Sequence, residues 1–148
     1  MLIPVYAPAA VATPAHGVVR RIVDGDTQVR LVGIQAPKLA LGRSGFKPWP
    51  LAEDAKAALG ALVLGRQVGL SYGGRRIDRH RRLLAHLSLA GPGGKQDLWV
   101  QAEMLKRGLA RVYTFPDNRA RAAAMLEHER AARAARHLVA AVLSYSKP

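Results

Sequence analysis

The stretch Val23-Asp24-Gly25-Asp26-Thr27-Gln28-Val29-Arg30-Leu31-Val32-Gly33-Ile34-Gln35-Ala36-Pro37-Lys38 decides how this chain is read. Asp24-Gly25-Asp26 is a strong turn signal, and the β-branched run Val18 to Val23 before it predicts a strand ending there. Gln28 to Ile34 predicts a second strand, closed by Ala36-Pro37. Arg30 stands inside that otherwise apolar strand, where a charged group needs a partner.

The pattern outward is consistent. Residues 36–50 are rich in proline and glycine and predict a long irregular loop. Leu51 to Leu64 has helical spacing closed by Gly65, and Gln67 to Tyr72 alternates as a half-buried strand does. The basic stretch Arg75 to Arg82 leads into a strand, Leu83 to Leu89, that stops at Gly91-Pro92-Gly93-Gly94. A short helix is expected from Leu98 to Arg107, closed by Gly108, then a brief strand from Leu109 to Tyr113. Pro116-Asp117-Asn118 is expected to turn the chain and cap a long Ala/Arg-rich helix reaching about Leu143. Strands first, one inserted helix and helices at the end imply an α+β layout with a small, mostly antiparallel β-barrel. Pro4, Pro8 and Pro14 interrupt the opening stretch, so residues 1–17 are expected to be a flexible arm and 18–145 the domain.

The 148 residues carry 23 Lys and Arg against 10 Asp and Glu, a formal charge of +13, which points to a polyanionic partner. Arginine's planar fork grips phosphate bidentately, and arginine is the dominant cation here. With no cysteine, disulfides, thiolate metal sites and cysteine nucleophiles are excluded. No run approaches the roughly 20 apolar residues of a membrane span. A soluble monomer is expected, with export left open.

Several strings now fall in one order: Val23 to Thr27, Val29 to Pro37, Asp78 to Arg82, Val100, and Arg107-Gly108-Leu109-Ala110. In that order they make the chain resemble the staphylococcal nuclease (thermonuclease) family. The resemblance implies an OB-fold-type barrel and enzymes that cleave DNA and RNA with bound calcium. It matches Asp26 to a calcium ligand, beside which a plain turn role stands equally, and Arg30 and Arg82 to a catalytic phosphate clamp. In-line attack of water on a phosphodiester needs such fixed cations, a metal held by carboxylates, and a base.

Two departures bear on activity. Where the family has Asp and Glu after the strand, this chain has Gln35 and Lys38, an amide in place of a metal carboxylate and an ammonium in place of the base. Gln35 still offers calcium a carbonyl oxygen, but ligand charge governs affinity, so a weak site is expected. An absent general base typically costs about 10²- to 10⁴-fold in rate, while Lys38 is able to neutralise phosphate charge instead. Only Thr27, Gln28 and Val29 separate Asp26 from Arg30, whereas the family inserts a hairpin, so an exposed ladder edge is expected.

Arg75, Arg76, Arg79 and Arg81 cluster beside Arg82, either as a solvated loop or as a phosphate-tracking surface. Tyr113 is a candidate stacking residue, with helix packing as its plainer role. Two functional readings follow: a nucleic-acid-binding domain with weakened or lost hydrolysis, or an active calcium-dependent endonuclease with a modified site. A fold remnant without activity is the third.

Overall fold

The computed structural model describes residues 2–6, 16–19, 28–90 and 97–135. It is α+β, as expected. In chain order the elements are β1 (Leu2–Tyr6), β2 (His16–Val19), β3 (Gln28–Leu31), β4 (Ile34–Gln35), α1 (Ala52–Val63), β5 (Gln67–Ser71) and β6 (Leu83–Ala90). Then follow β7 (Asp97–Trp99), α2 (Val100–Lys106), β8 (Arg111–Val112) and α3 (Ala122–Ala134). Six strands form one sheet in the order β3-β1-β2-β5-β6-β7, and β3 also pairs with β6, so the ladder returns to its starting strand. Only the β3–β6 ladder is parallel among those of this sheet.

One expectation is corrected. The stretch read as a flexible arm contributes β1, paired antiparallel to β3 through Leu2↔Arg30, Ile3↔Val29 and Pro4↔Gln28. The physical reason is the short link between Asp26 and Arg30: without a hairpin there, β3 has an open edge, and unpaired strand N–H and C=O groups are a template for another strand. β1 fills that edge and joins it to β2.

The strand predicted over 28–34 breaks at Gly33, whose φ of 83° lies in the left-handed region. A Cβ there would fall 2.3 Å from Met125 Cε. Gly33→Ala is therefore expected to destabilise the fold by about 1–2 kcal/mol, through positive-φ strain and a push on α3. Urea denaturation read by circular dichroism checks this.

The predicted α1 forms, burying Ala52, Ala55, Leu59, Leu62 and Val63 on one face. The helix predicted from Leu98 starts later because Leu98 and Trp99 pair with Leu89 and Ser88 in β7. α3 begins at Ala122, with Arg121 at its N-cap, so Asn118 is not its cap. The expected extension of that helix to Leu143 falls partly outside the described residues.

Inside the sheet, Gln101 on α2 is fully buried. Its Nε2 donates to the Val32 and Ala85 carbonyls, at 3.3 and 3.0 Å, and its Oε1 accepts from Leu87 N–H at 3.1 Å. One amide thus ties α2 to the junction of β3 and β6.

Candidate functional site

The parallel register of β3 and β6 pairs Arg30 with Leu84. Side chains alternate faces along a strand, so Val29 and Leu31 enter the core while Arg30 points outward with Leu84. Arg82 precedes Leu84 by two residues and shares that side. The two arginines singled out in the sequence consequently line one cleft of about 380 Å³, with Arg75, Arg79, Asp78 and Asp117. Four guanidinium groups meet two carboxylates there, so the cleft is electropositive.

Arg82 is held by its own turn. Asp78 Oδ1 accepts from the backbone N–H groups of His80 and Arg82, at 2.8 and 3.0 Å. Its Oδ2 takes both Nε and Nη2 of Arg82 at 2.6 Å. Burial acts to raise the Asp78 pKa, but these hydrogen bonds and the Arg82 charge outweigh it and hold the carboxyl below its usual range. The pair fixes the Arg82 fork and leaves Nη1 with no hydrogen bond among the described residues. The Arg30 guanidinium makes no ion pair among the described residues and lies 5.4 Å from the Phe115 ring centroid.

The opposite wall comes from the segment after β8. Gln35 pairs with Arg111 across the β4–β8 ladder, and Tyr113 N–H donates to Gly33 C=O at 2.9 Å. Tyr113 and Phe115 are 41% and 42% exposed and meet edge to face, 5.2 Å between centroids, at the cleft mouth. The Phe115–Asn118 turn is clamped from the other side: Asn118, buried, donates Nδ2 to Arg75 C=O at 2.8 Å, and Arg75 N–H donates to Asp117 C=O at 3.1 Å. A Cβ on Gly74 would lie 2.3 Å from the Asp117 carbonyl oxygen. Gly74→Ala is thus expected to displace this turn and lower the unfolding free energy by about 1–3 kcal/mol, as overpacking does; urea denaturation measures it.

The remaining sequence candidates are distributed differently. Arg76 stacks over Tyr72, which packs against the core. Arg81 takes a left-handed turn conformation and does not line the cleft. Lys38 does not line it either, its Nζ lying 5.2 Å from the Trp49 ring centroid. Asp26 lies outside the described residues. Phe115, Asp117, Asn118 and Arg111 were not among the site candidates in the sequence, although Arg111, Tyr113 and Phe115 alternate as one face of a strand would.

Residues 28–138 match the family model described as Staphylococcal nuclease homologue. The chain belongs to that family. It is also 35% identical over 99 residues to a protein named probable endonuclease lcl3 from Neosartorya fischeri, covering 64% of this chain and 32% of the relative. The protein of the same name from Aspergillus fumigatus is 34% identical over 99 residues, with 64% and 31% covered. The chain spans about a third of the length of these curated relatives.

The staphylococcal nuclease family is generally calcium-dependent, and the described residues of this homologue do not fit that ion. Calcium takes six to eight oxygen ligands, with carboxylates setting the affinity. No group of three His, Asp or Glu side chains able to hold a metal forms among the described residues. Gln35 Oε1 accepts instead from Arg111 Nε and Nη2, at 3.0 and 2.6 Å. Asp78 is engaged by Arg82, and Asp117 faces Arg75 at 3.8 Å.

Proposed function

We propose that this domain binds the phosphodiester backbone of nucleic acid in the cleft between Arg30 and Arg82, and that its hydrolytic activity is weakened or lost. The convergence of those two guanidinium groups in one electropositive cleft carries the reading. Arg30 and the fixed Arg82 fork supply charge-assisted donors to one phosphate, and Arg75 and Arg79 extend the positive surface along a strand. Tyr113 and Phe115 offer exposed faces on which a base or sugar rests, which favours single-stranded nucleic acid. Gln35 and Lys38 stand where the family carries a metal carboxylate and the base, which supports loss of turnover.

The test is anisotropy of a labelled single-stranded oligonucleotide. Arg30→Ala and Arg82→Ala are each expected to weaken binding by about 10- to 100-fold, or roughly 1.4–2.8 kcal/mol. Affinity is expected to fall steeply with salt and to depend little on sequence. Unchanged binding in both variants would refute the assignment. The second reading, an active calcium-dependent endonuclease, is favoured by the names of the relatives. Calcium-dependent cleavage of the same oligonucleotide that Arg82→Ala abolishes would establish it.

A further inference from the structure

We propose that the Arg111 guanidinium stands in the cation position beside Gln35, so that the site works without a divalent metal ion; for its bearing on nucleic acid, this rests on the binding function proposed above.

The register of β4 and β8 sets Gln35 directly opposite Arg111. An amide oxygen has two lone pairs, and here two N–H groups of one guanidinium, at 3.0 and 2.6 Å, take them. Gln35 is thereby oriented toward an organic cation and has no acceptor left for an inorganic one. A divalent ion within reach of this oxygen would sit against the Arg111 charge, and like charges at such distances repel. The exchange is chemically consistent: a neutral amide suits a planar monovalent donor fork, as a carboxylate suits a hard divalent ion.

The guanidinium lies beside the cleft rather than lining it, next to Tyr113, which does line it. Arg111, Tyr113 and Phe115 alternate, and the Arg111 Cζ lies 5.8 Å from the Tyr113 ring centroid. Tyr113 touches Phe115, over whose ring Arg30 lies. Cation, ring, ring and cation form one continuous row from Gln35 to the phosphate-binding arginines. A cation built into β8 is present at every calcium concentration, which makes backbone binding insensitive to the ion.

Calorimetry decides the first part with the full chain alone. Calcium chloride titrated to about 10 mM, above the roughly 10⁻³ M at which weak calcium sites fill, is expected to give no saturable heat. Saturable calcium binding in the unaltered protein would overturn the inference, and this arm needs no variant to fold. The second arm compares oligonucleotide affinity in EGTA and in calcium at matched ionic strength. The two affinities are expected to agree within about twofold, whereas Arg111→Gln weakens binding about tenfold in EGTA and Arg111→Lys less. A calcium-induced rise in affinity of about tenfold or more also overturns it, with the proposed binding function left standing. Absence of oligonucleotide binding in both buffers refutes that function and the nucleic-acid part of this inference together, while the calorimetry still decides the cation position.

Discussion

Gln101→Leu is expected to lower the unfolding free energy by about 2–4 kcal/mol. The substitution fits the space, so packing is not the cause. It removes the acceptor of Leu87 N–H and the donor to Val32 C=O, and a buried polar group left unsatisfied costs about 1–3 kcal/mol. The Ala85 carbonyl suffers less, because it still accepts from Val32 N–H at 3.2 Å. Differential scanning calorimetry should show a fall in melting temperature on the order of 10 °C. Because Gln101 fixes the β3–β6 junction that aims Arg30 and Arg82, oligonucleotide affinity is expected to fall in the same variant below its new transition. Gln101→Glu separates the terms: it keeps an acceptor for Leu87 while turning Val32 and Ala85 against a carboxylate, and is expected to be at least as harmful.

The second large effect is on pH dependence. His86 is 2% exposed, against Trp99 at 5.5 Å between ring centroids. Burial first, and the Arg121 charge second, lower its pKa from 6.5 to about 4, and neither ring nitrogen has a hydrogen-bond partner among the described residues. The folded protein thus takes up this proton later than the unfolded chain as pH falls. Stability from His86 is complete above the unfolded value of 6.5 and is lost as pH drops through about 4. Integrated over that window the loss is roughly 3 kcal/mol. Urea titrations between those limits are expected to show it, and His86→Phe to flatten the slope. Asp78, whose carboxyl is held below the usual range, adds its own loss only at lower pH, below the ordinary value of 3.8. A flat stability profile across the His86 window in the unaltered protein would count against the buried neutral imidazole.

The relation between sequence and structure differs from one residue to the next. Arg30 and Arg82 were legible because each sits in a string whose order along the chain is itself the signal. Their convergence follows from alternation once the strands are paired. α1 was legible because its apolar residues repeat at helical spacing, and the helix buries that stripe. β7 was not, because Leu98 and Trp99 carry no strand pattern of their own and are extended by pairing with β6. The N-cap assigned to the Pro116-Asp117-Asn118 turn failed because Asn118 spends its amide on Arg75, far away in sequence. Glu129 pairs with Arg133 one helical turn on, but it is buried and also accepts from Val112 N–H at 2.6 Å, anchoring α3 to β8.

By itself the sequence determined the family, the α+β element order, the positive charge and the loss of two carboxylates, since each is written in local periodicity, composition or residue identity. The tertiary structure decided that β1 fills the edge beside β3, that Gln35 faces Arg111, and that Phe115 and Asn118 close the cleft. Those outcomes depend on ladder register and on contacts between residues distant in the chain, which set which polar group meets which partner and leave no mark in any short window of sequence.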